Sequence, residues 1–184
     1  SNCRNYILAQ FLASDCDDLV FIDDDVAWER GALNRLLDHP VDFVIGAYPY
    51  RSDAGGFPVR YLSERVKSDP ETGLLEIAGG GFGFARLTRR CAERMVEAYA
   101  ALAYPEKGCP NDTAWMVFQL NVMVDGVPFS EDMIFAKRWQ DIGGKMWCDP
   151  EITFVHIGNK GFIGHFGDWL RKNLKPKETM QSAA

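Results

Sequence analysis

Short continuous apolar runs alternate along this chain with segments whose apolar residues recur three and four positions apart. The first pattern reads as buried strand and the second as one face of a helix. Tyr6, Ile7, Leu8, Phe11 and Leu12 give a helical face near the start. Leu19-Val20-Phe21-Ile22 and Val41 to Ala47 are apolar runs of the kind found in strands covered on both sides. Between them, Trp28 to Asp38 carries Leu33, Leu36 and Leu37 as a helical stripe, and His39-Pro40 ends it. Val59 to Ser63 and Leu74 to Ala78 read as two strands, turned at Asp69-Pro70-Glu71-Thr72-Gly73. Thr88 caps a helix over Arg89 to Ala100, with Cys91, Met95, Val96 and Tyr99 inward. Leu102 to Trp115, with Pro105, Gly108 and Pro110, reads as a loop, and Met116 to Val124 as a strand turned by Asp125-Gly126. Ser130 opens a helix to Ile142, and two short strands follow at Lys145 to Cys148 and Ile152 to Val155. A last short helix spans 168–174, and the polar tail 175–184 is expected to be disordered.

This order predicts an α/β fold: one domain over 1–174 with a mixed, mostly parallel sheet flanked by helices. A chain that opens with a helix feeding an interior strand is also expected to lack an earlier strand–helix unit.

Charge narrows the partners. Twenty Lys and Arg against 26 Asp and Glu give a net charge of −6, which does not suit a nucleic-acid surface. No apolar stretch approaches the length of a membrane span. Five cysteines are scattered without a Cys-x-x-Cys pair, so reduced thiols and a cytoplasmic setting are the expectation.

Candidate chemistry begins at Asp23-Asp24-Asp25, directly after the first buried strand. In open α/β sheets ligands bind beyond the carboxyl ends of strands. Three adjacent carboxylates repel one another unless a positive charge is supplied, and oxygen ligands select Mg²⁺ or Mn²⁺. If the segment stays extended, Asp23 and Asp25 share a face and Asp24 points away. The plainer alternative is a solvated acidic turn, with Asp24 or Asp25 capping the next helix.

Other segments could complete a site. Tyr48-Pro49-Tyr50-Arg51 ends the second strand and would wall a pocket or stand as an exposed edge turn. Ala78-Gly79-Gly80-Gly81-Phe82-Gly83-Phe84 would let backbone approach a ligand, although a tight connection explains it too. It matches neither a phosphate loop nor a dinucleotide fingerprint. Ser130-Glu131-Asp132 suits a capped helix start, and equally a general base lining a pocket. His156, followed by Gly158, Gly161 and Gly164, could join Asp25 in a mixed carboxylate–imidazole shell.

In this order the strand ending in Asp-x-Asp, the Gly-rich loop, Ser-Glu-Asp at a helix start and the later His156-Ile157-Gly158 resemble a nucleotide-sugar glycosyltransferase. The class is GT-A (Rossmann-like), and the likeness is greatest to the family 2-like bacterial and phage enzymes. It covers Arg4 to about Gly167. The resemblance implies Asp23 and Asp25 as the Asp-x-Asp motif, with Asp25 on a Mn²⁺ or Mg²⁺ ion and Asp23 near the donor. It implies Asp132 as general base with Glu131 beside it, His156 as a late metal ligand, and Gly80, Gly81 and Phe82 near donor sugar and acceptor. Arg4 would lie near the donor. The implied partners are a UDP- or GDP-sugar and an acceptor hydroxyl. The nucleotide-binding first βα unit of the family is absent, and Lys137-Arg138-Trp139 only partly echoes the motif of processive synthases. Two rival classes remain open at this point: a metal-dependent phosphohydrolase or nucleotidyltransferase, and a non-catalytic domain of the same fold.

Overall fold

The computed structural model describes residues 2–63 and 66–173. The chain begins with α1 (Asn2–Ala13), β1 (Asp18–Ile22), β2 (Val26–Trp28), α2 (Ala32–Asp38) and β3 (Phe43–Gly46). It continues through β4 (Val59–Tyr61), β5 (Leu75–Gly80), β6 (Phe84–Thr88) and α3 (Arg89–Ala98). Two short hairpins follow, β7 (Ala103–Pro105) with β8 (Thr113–Trp115) and β9 (Val122–Val124) with β10 (Val127–Phe129). The last elements are α4 (Glu131–Asp141), β11 (Met146–Asp149), β12 (Thr153–Ile157), β13 (Gly161–His165) and α5 (Phe166–Asn173). The tail expected to be disordered lies outside the described residues.

The fold is α/β, with a mixed six-stranded sheet in the order β1-β6-β3-β11-β5-β4. The sheet is not mostly parallel. Only β3 and β11 pair in parallel, and the other four pairings are antiparallel. The reason is that the described residues between Gly46 and Arg89 form no helix. A parallel neighbour needs a crossover of a dozen or more residues, usually helical, whereas short connections deliver antiparallel ones. β1 and β3 both run opposite to β6, so they run in the same direction, and β11 runs with them. The segments that follow β1 and β3 therefore leave the sheet at one edge.

One face of this sheet carries the larger core, where Phe21, Phe43, Phe82, Phe118 and Phe135 are packed ring against ring. α1 lays Leu8 and Phe11 onto it, and α3 and α4 add Cys91, Met95, Phe135 and Trp139. Truncating one of these buried rings to Ala costs about 3–5 kcal/mol. The other face carries Val44, Leu74, Phe84 and Phe154 with Leu36 of α2.

Several local expectations needed revision. The helix expected from Trp28 begins only at Ala32, because Val26 to Trp28 is strand paired with Phe154 to His156 of β12. The Gly-rich stretch is largely strand: β5 runs on to Gly80 and β6 starts at Phe84. The segment 102–115 contains a hairpin, and the glycine-spaced stretch after His156 is the β12–β13 hairpin. Helix α3 is capped as expected, with the Thr88 side chain accepting from the Cys91 N–H, and Ser130 caps α4 likewise.

The charged groups buried in the fold are paired. Arg86 donates to the carbonyls of Leu37, His39 and Val41 and pairs with Asp18, placing a positive charge at the C-terminal end of α2. Asp149, at the end of β11, is held by Arg35 and His39.

Candidate active site

The chain turns sharply after Ile22. The Val26 N–H donates to the Asp23 carbonyl (3.3 Å), and the Asp23 N–H to the Gly83 carbonyl (3.0 Å). The acidic run is thus a turn between β1 and β2. Alternation ends with the strand, so Asp23 and Asp25 face different partners, and Asp24 is exposed between them.

Asp23 faces Arg4, whose Nη2 lies 3.2 Å from its Oδ1. The same guanidinium donates to Asp132 Oδ1 and lies 3.5 Å from Glu131 Oε1. It rests over the Phe21 and Phe82 rings, 5.6 Å from each centroid. Arg4 projects from the first turn of α1, Asp23 from the end of β1, and Glu131 and Asp132 from the start of α4. Asp132 is further fixed by the Phe82 N–H, 3.1 Å from its Oδ2. Each carboxylate oxygen has two lone pairs. Asp132 therefore keeps acceptor capacity toward the cavity it lines.

Asp25 faces the other way. Its Oδ2 lies 3.4 Å from His156 Nε2 and 3.0 Å from Arg51 Nη1. His156 is positioned by the β12 pairing with Val26, by the edge of the Tyr48 ring (5.0 Å between centroids) and by a hydrogen bond from Nδ1 to the Pro49 carbonyl (2.8 Å). That bond puts a proton on Nδ1. In the neutral ring, Nε2 then presents a bare lone pair to a carboxylate oxygen.

Two facing Lewis bases suit a cation between them, so this donor pair fits Mn²⁺ or Mg²⁺. Among the described residues no group of three or more His, Cys, Asp and Glu side chains gathers as a ready cage. Asp23, expected as a metal ligand, is instead turned to Arg4. Two protein donors leave the remaining positions to water and phosphate oxygens, which is how Mg²⁺ is commonly held.

A cavity of about 390 Å³ joins the two halves, lined by Tyr48, Tyr50, Arg60, Gly81, Asp132 and His156 among others. A larger recess of about 520 Å³ lies at Glu76, Lys145 and Trp147, where a lysine–glutamate pair is already closed at 3.0 Å. Its lining brings no imidazole to these charges.

The glycines also make room for side chains. A Cβ on Gly83 would lie 2.6 Å from Asp23 Oδ2 and 2.8 Å from the Tyr48 hydroxyl, and one on Gly81 would strike that same hydroxyl. They admit Tyr48 and Asp23, while Gly80 and Gly81 line the cavity. The Phe82 ring is fully buried, so Phe82 reaches the site through its backbone N–H. Burial, with the Asp23 charge nearby, pushes the Tyr48 phenol up, and it stays protonated.

The sequence placed Arg51 only in a pocket wall or edge turn and did not foresee its pairing with Asp25, nor that of Arg4 with Asp132. The signal for Arg51 was its position just after the buried strand β3, in line with the acids that follow β1.

No protein-family model matches this chain. No curated protein matches it either. Among solved structures it is similar to the crystal structure of A197 from STIV, at 19% sequence identity and a TM-score of 0.48. The similarity covers 84% of this chain, and the chain spans 65% of the length of that one. No helix among the described residues is long and apolar enough to cross a membrane.

Proposed function

We propose that this chain transfers a sugar from a nucleoside diphosphate donor to an acceptor hydroxyl, with inversion, on a GT-A-like scaffold. One observation carries the reading. The oriented carboxylate Asp132 and the imidazole of His156, which faces Asp25 at 3.4 Å, line one cavity although they come from α4 and β12. A base beside an oxyanion-neutralising site is what displacement at a glycosyl phosphate requires.

In this reading Asp132 accepts the acceptor proton as the new C–O bond forms and the bond to the diphosphate breaks. Arg4 keeps Asp132 in register with Asp23, which lies on the donor side. Asp25 and His156 hold a divalent cation, which when bound neutralises charge on the diphosphate. The buried Phe21 and Phe82 rings give Arg4 a rigid floor. Tyr48 orients His156 and closes the wall behind Asp23.

The test is donor turnover with UDP- and GDP-sugars in Mn²⁺, with and without simple glycoside acceptors. Release of nucleoside diphosphate with sugar transfer or hydrolysis is the expected result. Asp132→Asn should lower the rate about 10²–10⁴-fold while donor binding persists. Release of phosphate or pyrophosphate instead would reassign the site to a phosphohydrolase or nucleotidyltransferase. Metal uptake without any turnover would make the domain a binding module.

A further inference from the structure

The Asp25 carboxylate is already neutralised by the protein itself. Its Oδ2, the oxygen that faces His156 Nε2 at 3.4 Å, also lies 3.0 Å from Arg51 Nη1. Arg51 opens the segment 51–58, whose base is closed by the Tyr50 N–H donating to the Gly56 carbonyl (3.0 Å). Its guanidinium has one other hydrogen bond, long at 3.5 Å, to the Ile157 carbonyl. The stem lies across Gly158, where a Cβ would come within 3.0 Å of Arg51 Cδ. The tip of the same segment is tied to the β12–β13 hairpin by the Asp53–Lys160 ion pair. About half of the Arg51 side chain is exposed, as is 30% of Asp25, so the pair between them is weakly held.

Resting on the sugar-transfer reading, we infer that Arg51 is a cation placeholder at Asp25, exchanging that carboxylate for the donor diphosphate when the divalent ion binds. A cation between Asp25 and His156 sets a double positive charge beside the guanidinium, and the two repel. The strongest new negative charge is then the diphosphate that arrives with the ion. Arginine's planar fork suits phosphate oxygens well. The neighbouring cations Arg60 and Lys160 leave the guanidinium no electrostatic reason to move toward them. Arg51 thus opposes the bare metal and favours the metal–nucleotide pair, so the site fills with both together.

This assignment predicts two effects of opposite sign in one variant, which loss of structure would not give. In a titration with Mn²⁺ alone, Arg51→Ala should bind the ion up to about fivefold tighter than wild type, the reach of an exposed ion pair. With Mn²⁺ saturating, the same variant should bind UDP and GDP about tenfold more weakly, for loss of a charge-assisted contact. Arg51→Lys should lie between. Mn²⁺ affinity that is unchanged or weaker in Arg51→Ala overturns the placeholder, and so does undiminished nucleotide binding. Asp25→Asn in the same titration separates this failure from failure of the functional reading. If Asp25→Asn takes up Mn²⁺ like wild type, the metal site itself is misassigned. If Asp25→Asn loses Mn²⁺ while Arg51→Ala behaves as wild type, only the role of Arg51 falls.

Discussion

Two clusters in this molecule use the same three side-chain types and do opposite things. Asp149 meets His39 and Arg35, and Asp25 meets His156 and Arg51. Both aspartates lie at or just beyond the carboxyl ends of strands that run in the same direction, β11 and β1. Asp149 is fully buried, and both of its oxygens are bonded. Oδ2 takes His39 Nε2 (2.8 Å) and Arg35 Nε (2.5 Å), and Oδ1 takes Arg35 Nη2 (3.2 Å) and the Glu151 N–H (3.0 Å). Asp25 is 30% exposed, and its two neighbours, Arg51 and His156, stand at 3.0 and 3.4 Å on a single oxygen. Composition therefore does not separate a structural cluster from a reactive one. Saturation and access do. A carboxylate whose lone pairs are all spent inside the protein has nothing left for a ligand, and a partly exposed one with loose partners has.

The sharpest way to break this comparison is to remove each aspartate. Asp149→Ala leaves Arg35 and His39 without the carboxylate that bonds both of them and should cost about 1–3 kcal/mol in urea denaturation. Asp25→Ala removes a half-exposed pair and should cost no more than about 1 kcal/mol, yet abolish Mn²⁺ uptake. Equal destabilisation by the two would mean that Asp25 is structural and that the contrast is false.

The next effect is set by pH. Burial works to raise the Asp149 carboxyl, but the hydrogen bonds from His39 and Arg35 outweigh it and hold it at about 2, below its ordinary 3.8. A depressed carboxylate contributes stability above its unfolded value, and that contribution drains away as pH falls through the folded one. About 2 kcal/mol should therefore be present at pH 5 and lost between about pH 4 and pH 2. Denaturation midpoints across that window should carry this acid limb in wild type and lose it in Asp149→Asn. An unaltered limb in the variant would assign the acid sensitivity to other carboxylates.

How much of this could be read from residues follows from what periodicity encodes. β1 and β3 were legible because four apolar residues in a row have few other uses, and α3 because its cap and inward stripe agree. β6 was hidden: Arg86 interrupts its apolar run, and its burial rests on three carbonyls and Asp18, which no local pattern announces. β13 was hidden by Gly161 and Gly164, which read as flexibility until the pairing with β12 is known. In the candidate site, the order of acids and the histidine pointed to Asp25, Asp132 and His156; Asp132 and His156 line one cavity, and Asp25 lies 3.4 Å from His156. The acidic turn was one of two readings of this run, and what sequence does not carry is that it sends Asp23 to Arg4 and Asp25 to His156 and Arg51. Nor does it carry the partner of an arginine, since Arg4 and Asp132 are 128 positions apart.

The smallest effect tests how the reactive cluster divides its labour. Arg4 touches three carboxylates, and only Asp132 among them both lines the cavity and accepts from the Phe82 N–H. Glu131 stands in the first turn of α4, where a negative charge favours the helix by about 0.3–1 kcal/mol. Glu131→Gln keeps the shape of that side chain, and Arg4 still has Asp23 and Asp132 to hold it. Turnover should fall less than about tenfold, well short of the loss expected for a general base, and the melting point should drop only slightly. The informative comparison is with Asp132→Asn under the same donor and Mn²⁺ concentrations. If the two variants lose activity equally, the proton acceptor is shared along the Glu131–Asp132 pair, and the single-base mechanism gives way to one in which Arg4 selects between them.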